Sequence, residues 1–454
     1  MRRTLLVLML TAGCASTSGD YRTRAADPEL LHSAMRELTG VIVYDILNPP
    51  QAARVYTYAS VAAYEAARPG YPAQRSLAGQ LNGLTPPPEP QAGVEYSFPV
   101  AAMHAFLTVG RAMTFSRDRM DSLRTAFEQR LRQTGIPAPV FERSIAYGDT
   151  VAKHILAWAS KDHYLQTRGY PKYTVTTQPG RWRPTPPAYM DAVEPHWDDI
   201  RPFVLDSAGQ FRPKPPYRFD MKPGSPFYRQ AYEVYETGKR LTDEQRAIAA
   251  FWDCNPFVMN VQGHTMFATK KISPGGHWMG IAGQASRKVH ADFMRSAQVY
   301  ARTAIALADG FLTIWDEKYR SNLIRPETVI NQYLDERWQP FLQTPPFPEY
   351  TSGHSGISTA AATVLTDEFG DGFAFTDSVE IAFGLPPRSF TSFKQAGAEA
   401  AISRLYGGIH YRMAIEEGIG QGRKVGELVV QRVRTNEDAS SLSRSPRSLR
   451  LRRT

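Results

Sequence analysis

Apolar residues recur at three- and four-residue steps along most of this 454-residue chain. That period, with no sustained alternation beside it, restricts the chain to packed helices. From Pro28 onward, Leu30, Leu31, Met35, Leu38, Val41 and Ile42 form one stripe. Pro49 and Pro50 open the next, with Ala52, Val55, Tyr56, Ala59, Ala62, Ala63 and Ala66 on one face until Pro69-Gly70. Proline suits a first helical turn, where an N–H would have no partner. The small residues predict close helix packing. Further helices are expected at 98–113, at 117–133 between Ser116 as N-cap and Gly135 as terminator, and at 139–160. The period resumes over 227–253, 284–316, 354–369, 390–404 and 413–434. Between 164 and 225 prolines cluster among tyrosine and tryptophan, which predicts an ordered cover over the body rather than a helix. The expectation is an all-α protein of helical bundles with long Pro-rich ordered loops: a helical region over 28–163, the loop over 164–225, and a helical domain over 226–435.

The two ends read differently. Residues 1–14 carry two arginines, the apolar run Leu5 to Leu10 and Thr11-Ala12-Gly13-Cys14. That stretch is too short to span a bilayer and reads as a signal peptide with a lipobox-like end. It predicts export, acylation of Cys14 and anchoring to a bacterial membrane facing periplasm or exterior, with residues 15–27 as a tether. Cys254 is then the one remaining cysteine, expected as a buried thiol. Residues 436–454 are rich in serine and arginine without apolar period and are expected to be a disordered basic tail. The formal charge of +9 could suggest nucleic-acid binding. Arg2, Arg3 and the five tail arginines carry much of it, so no nucleic-acid partner is expected.

The chemistry-bearing residues lie between 318 and 410. Lys318 precedes Arg325-Pro326; Tyr350-Thr351-Ser352-Gly353-His354 opens a helical run; Ser403-Arg404 is followed after five residues by His410. Three cations, a hydroxyl, a glycine-led helix N-terminus and two histidines suit a tetrahedral oxyanion. Guanidinium forks give bidentate contacts, and the helix dipole favours negative charge beside Ser352 and the Gly353 amide. One histidine can bond the central atom while the other moves protons. His264, His277 and His290, spaced by 13 residues, have no zinc-like pair spacing and are expected as core or surface residues. Gly418, Gly420 and Gly422 lack a preceding strand and are expected in close helix packing rather than in a nucleotide loop.

The segments KYRSNLIRP over 318–326, YTSGH over 350–354 and SRLYGGIH over 403–410 together resemble the signature of the vanadium-dependent haloperoxidase and type 2 phosphatidic acid phosphatase superfamily. The segments VIVYDILNPPQAARVYTYASVAAYEA and FWDCNPF look like those of secreted bacterial haloperoxidase-like lipoproteins. The resemblance implies a bundle of the haloperoxidase and acid phosphatase type. It makes His410 the axial vanadium ligand, or the phosphohistidine nucleophile of a phosphatase, and His354 the acid/base group. Lys318, Arg325, Arg404, Ser352 and Gly353 become the vanadate- or phosphate-binding set, with Lys318 also polarising bound peroxide. Phe347 matches an aromatic position near the halide site, and Trp278 is a second candidate wall of that pocket.

The implied cofactor is vanadate, with phosphate able to occupy the same site. The implied partners are hydrogen peroxide, iodide or bromide, and an organic acceptor. Vanadate and phosphate share shape and charge, so an acid phosphatase or a weak oxyanion binder stays as the alternative; length and an extra helical half favour the haloperoxidase branch. Two residues depart from the pattern. Thr351 stands where the family has proline, and Ala414 where it has an aspartate four residues after the histidine. Such a carboxylate orients a ligating histidine. Glu416, Glu417 or a carboxylate from elsewhere is left to replace it.

Overall fold

Residues 21–436 are described by a computed structural model, and several of its helices begin where a proline and a capping side chain coincide. After α1 (Tyr21–Ala25), α2 (Pro28–Tyr44) starts behind Asp27, whose side chain accepts from the Glu29 amide. α3 (Pro49–Ala67) starts behind Asn48, which accepts from the Gln51 amide. α4 (Phe98–Met113), α5 (Arg117–Arg132) and α6 (Ala138–Ala159) complete a first group. The expected tether is not wholly a tether: Tyr21 and Ala25 are buried in the core, and the Tyr21 hydroxyl donates to Glu95 at 2.5 Å. Cys14 lies outside the described residues, as does the expected tail beyond Asn436.

The proline-rich stretch holds one four-residue α-helix, α7 (Tyr164–Thr167), and the 3-10 turns Trp197–Asp199 and Ala208–Phe211, and is otherwise irregular. It covers the body as an ordered loop, with Trp182, Trp197, Phe203, Val204 and Leu205 buried. Its attachment is polar: the amides of Phe203, Val204 and Leu205 donate to the buried Asp309 carboxylate at 2.7, 2.7 and 3.0 Å.

The second group holds α8 (Pro226–Lys239) and α9 (Asp243–Phe251), separated by a capping box in which Thr242 and Gln245 satisfy each other's amides. A hairpin follows, β1 (Phe257–Gln262) antiparallel to β2 (Thr265–Lys270), with Val258 opposite Thr269. Then come α10 (Pro274–Lys288), α11 (Phe293–Ser321), α12 (Pro326–Tyr333), α13 (Gly353–Phe369), the short pair β3 (Phe375–Asp377) and β4 (Arg388–Phe390), α14 (Phe393–Tyr406) and α15 (Arg412–Arg432). The run read as one helix over 284–316 is two. His290 takes a left-handed backbone between them, and Asp292 caps α11.

Every residue of α11 from Ser296 to Trp315 is buried. A helix enclosed on all sides lies inside the core, and α11 is that axis: both helical groups contribute to the one large hydrophobic cluster around it. The Thr57 hydroxyl of α3 donates to the Ala304 carbonyl of α11 at 2.9 Å, an approach that small residues allow. Against α11 from the other side, α13 packs on α15 with nearly bare backbones. A Cβ on Gly422 would meet the Gly356 carbonyl oxygen at 1.9 Å, and one on Gly418 the Ser352 carbonyl at 2.8 Å. Gly420 faces open space. Among the described residues no helix is long and apolar enough to cross a membrane.

Candidate active site

The C-terminal end of α11, the N-terminus of α13 and the turn between α14 and α15 meet at one point. α11 ends at Asn322 in a left-handed cap, and the chain then delivers Arg325. Ser352 caps α13: its Oγ accepts from the Ser355 amide at 3.4 Å and from the Ser355 hydroxyl at 2.7 Å, so Gly353 and His354 occupy the first turn. Gly407-Gly408 breaks α14 and turns Ile409 and His410 inward.

His410 is held at Nδ1 by the Glu349 carboxylate at 2.8 Å, and the same oxygen accepts from the Tyr411 amide at 2.9 Å. A carboxylate there fixes the proton on Nδ1 and leaves Nε2 as the acceptor nitrogen, whose lone pair takes a hydrogen bond from Arg325 Nη1 that a ligand would replace. Nε2 faces the Arg325 guanidinium at 3.1 Å. Glu349 is the carboxylate missing at position 414, and neither Glu416 nor Glu417 takes that place. Ala414 instead lies in the core, where its carbonyl accepts from the Ser352 amide at 3.0 Å. Burial raises the Glu349 carboxyl to about 7, partly offset by Arg325.

Arg325 donates from Nε to the Phe347 carbonyl and from Nη1 to the Ile409 carbonyl, both at 2.9 Å. Arg404 donates from Nη1 to the Trp252 carbonyl at 2.8 Å. Each keeps a buried nitrogen without a partner among the described residues: Nη2 of Arg325 and Nε of Arg404; Nε2 of His354 is likewise unpartnered. Burial, reinforced by the nearby guanidinium cations, pushes both His354 and His410 well below their ordinary range, and burial lowers Arg325 to about 10. Buried, unpartnered donors around a neutral imidazole form a hole shaped for negative charge. A multiply charged tetrahedral oxyanion held by an imidazole nitrogen would fit this donor set.

Gly353, His354, Arg404 and His410 line one side of a cavity of about 280 Å³; Phe311, Trp315 and Phe347 line the apolar side. The Phe347 ring lies 5.0 Å from both Lys318 Nζ and the Arg325 guanidinium and 4.9 Å from the Trp315 ring.

Two expected residues differ from their assigned places. Lys318 is not among the residues that line the cavity, although its charge acts on both His354 and His410. Its ammonium donates to the carbonyls of Pro348, Glu349 and Thr351 at 3.0, 3.0 and 2.6 Å, which uses all three protons to staple the loop bearing Glu349. Burial lowers its pKa strongly. Trp278 does not line the cavity: its indole is buried beside Trp252 and donates to the Ser358 hydroxyl at 2.8 Å, inside the helix packing. Trp315 takes the aromatic position instead. Glu349 was the functional residue missed, although a single charge between Phe347 and Ser352 in an apolar loop was a readable signal.

A family model for the second helical-bundle domain of vanadium chloroperoxidases matches residues 298–438. No curated protein matches the chain. Among solved structures, a bacterial vanadium-dependent iodoperoxidase aligns over 91% of this chain and 98% of its own, with 50% identity and a TM-score of 0.87. An apo-type bacterial vanadium-dependent chloroperoxidase aligns over 86% of this chain and 95% of its own, with 17% identity and a TM-score of 0.65, which is a likeness of fold. The full-length identity, together with the donor set around His410, shows that the chain belongs to the vanadium-dependent haloperoxidase family.

Proposed function

We propose that this haloperoxidase oxidises iodide with hydrogen peroxide and one proton taken up from solvent, giving hypoiodous acid and water, with vanadate held at His410. The carrying observation is the set of unpartnered buried donors around an imidazole whose tautomer Glu349 fixes. Identity to an iodoperoxidase over nearly its whole length supports iodide as the halide. Bound vanadate supplies Lewis-acid activation of peroxide without changing its own oxidation state.

The chain's residues do the rest. His410 would hold the vanadate through Nε2. Arg325 Nη2, Arg404 Nε and the amide end of α13 would neutralise the oxygens of the bound oxyanion. His354, kept neutral by burial, accepts the peroxide proton at Nε2 and returns it to the departing oxygen. Phe311, Trp315 and Phe347 give the halide an apolar, weakly hydrated approach. Lys318 acts from behind, by holding the 348–351 carbonyls and therefore Glu349. Export and acylation at Cys14 belong to the same reading.

The test incubates vanadate-free protein with iodide and peroxide, with and without added vanadate, beside a phosphomonoester. Triiodide formation that depends on vanadate is expected. No iodide oxidation at saturating vanadate, with phosphomonoester hydrolysis in its place, overturns the proposal.

A further inference from the structure

Beside the oxyanion hole, one buried cluster takes no part in the chemistry above, although its Cys254 lines the same cavity as His354 and Arg404. Cys254, in the turn after α9, His277, in the first turn of α10, and Glu380, in the short 3-10 helix Val379–Phe383, come from distant segments and converge in the interior. Cys254 Sγ lies 3.3 Å from His277 Nδ1 and 3.9 Å from Glu380 Oε1; Nδ1 and Oε1 are 3.0 Å apart. A tetrahedral shell with one sulfur at about 2.3 Å and nitrogen and oxygen at about 2.0–2.2 Å from the ion has edges of roughly 3.3–3.6 Å. The observed triangle brackets those edges.

Two further features suit an ion. The other ring nitrogen of His277, Nε2, is 2.7 Å from Asp377 Oδ2, and Asp377 is itself buried and held by the Val379 amide at 3.0 Å. A carboxylate behind a histidine is the usual support of a ligating imidazole. Without an ion, burial keeps the Cys254 thiol protonated and His277 sits between the Asp377 and Glu380 carboxylates; a divalent cation that displaced these protons would balance the resulting thiolate and the Glu380 carboxylate where water cannot.

We propose that Cys254, His277 and Glu380 bind a thiophilic divalent cation of the zinc class, separate from vanadate, with a water or cavity ligand in the fourth position. The role is positional. The Cys254 amide donates to the Trp252 carbonyl at 2.9 Å, and that carbonyl also accepts from Arg404, so an ion fixed at Cys254 steadies the Arg404 anchor. Trp252 also stacks on the His277 ring, with centroids 4.7 Å apart.

The experiment uses full-length, chelator-treated protein in vanadate-free buffer, titrated with cobalt(II) and separately with zinc, followed by dialysis and elemental analysis. Wild type is expected to show a thiolate-to-cobalt charge-transfer band and to retain one zinc per chain. Cys254→Ser should lose the band and weaken zinc binding by about 10-fold or more, and Glu380→Gln should weaken it with the band shifted; both variants are first checked for a native circular dichroism spectrum. No band in wild type at excess cobalt, or equal zinc retention in wild type and Cys254→Ser, overturns the proposal. If both variants fail to fold, the wild-type band and zinc count decide alone.

Discussion

A histidine serves as a metal ligand only if one nitrogen is bare, and at His410 a single carboxylate decides which. Glu349 accepts from Nδ1 and from the next backbone amide through one oxygen, so ring and turn are fixed together. Loss of such a supporting carboxylate costs about 10–100-fold in metal affinity or activity. Glu349→Ala is therefore expected to raise the vanadate concentration needed for half-maximal activity by that factor. Glu349→Gln keeps an acceptor without the charge and should lie between; unchanged vanadate dependence in both variants would remove Glu349 from the account. The oxyanion residues themselves were readable, because Arg325, His354, Arg404 and His410 sit in short motifs of fixed spacing. The pairing of Glu349 with His410 was not, because it joins residues 61 apart through a fold that spacing does not encode. Lys318 shows the reverse: the motif named the residue, but a buried ammonium takes whatever acceptors the chain turns toward it, here three carbonyls.

At the level of helices, the site depends on how closely α13 approaches α15. Gly418, Gly422 and Gly426 lie one turn apart, and added Cβ atoms there would meet α13 backbone oxygens at 2.8, 1.9 and 2.9 Å. No side-chain rotation relieves a clash with backbone. Gly422→Ala should cost about 3 kcal/mol, the upper range for overpacking, read as a lowered urea midpoint at constant slope. An unchanged midpoint would mean that the helices have room to part. Helix positions were largely legible from Pro and cap residues, as at α4, expected and found over 98–113. The hairpin was not. Among the described side chains of β1 and β2 none is buried, so their residues carry no alternation for a period to reveal.

Across the whole molecule, the first helical group closes on α11 and shares its core, so the catalytic half is finished by residues that carry no motif. His32 of α2 marks that joint, its Nδ1 2.7 Å from the Tyr300 hydroxyl of α11. Burial pushes its pKa down to about 4. Its folded value lies below the unfolded one, so the unfolded chain binds the extra proton first. The stability this neutral histidine provides is present above about pH 6.5 and is lost as pH falls toward 4, a swing of about 3 kcal/mol. His32→Asn should flatten the stability curve over that range; a curve as steep as wild type would place the acid sensitivity elsewhere.

The central claim is that the cationic hole at His410 is the vanadate site. Titrating vanadate into vanadate-free wild type and into His410→Ala, followed by vanadium NMR, tests it most directly. The account predicts one vanadate bound per chain in wild type and none in the variant at the same concentrations; equal binding by the two proteins would contradict it.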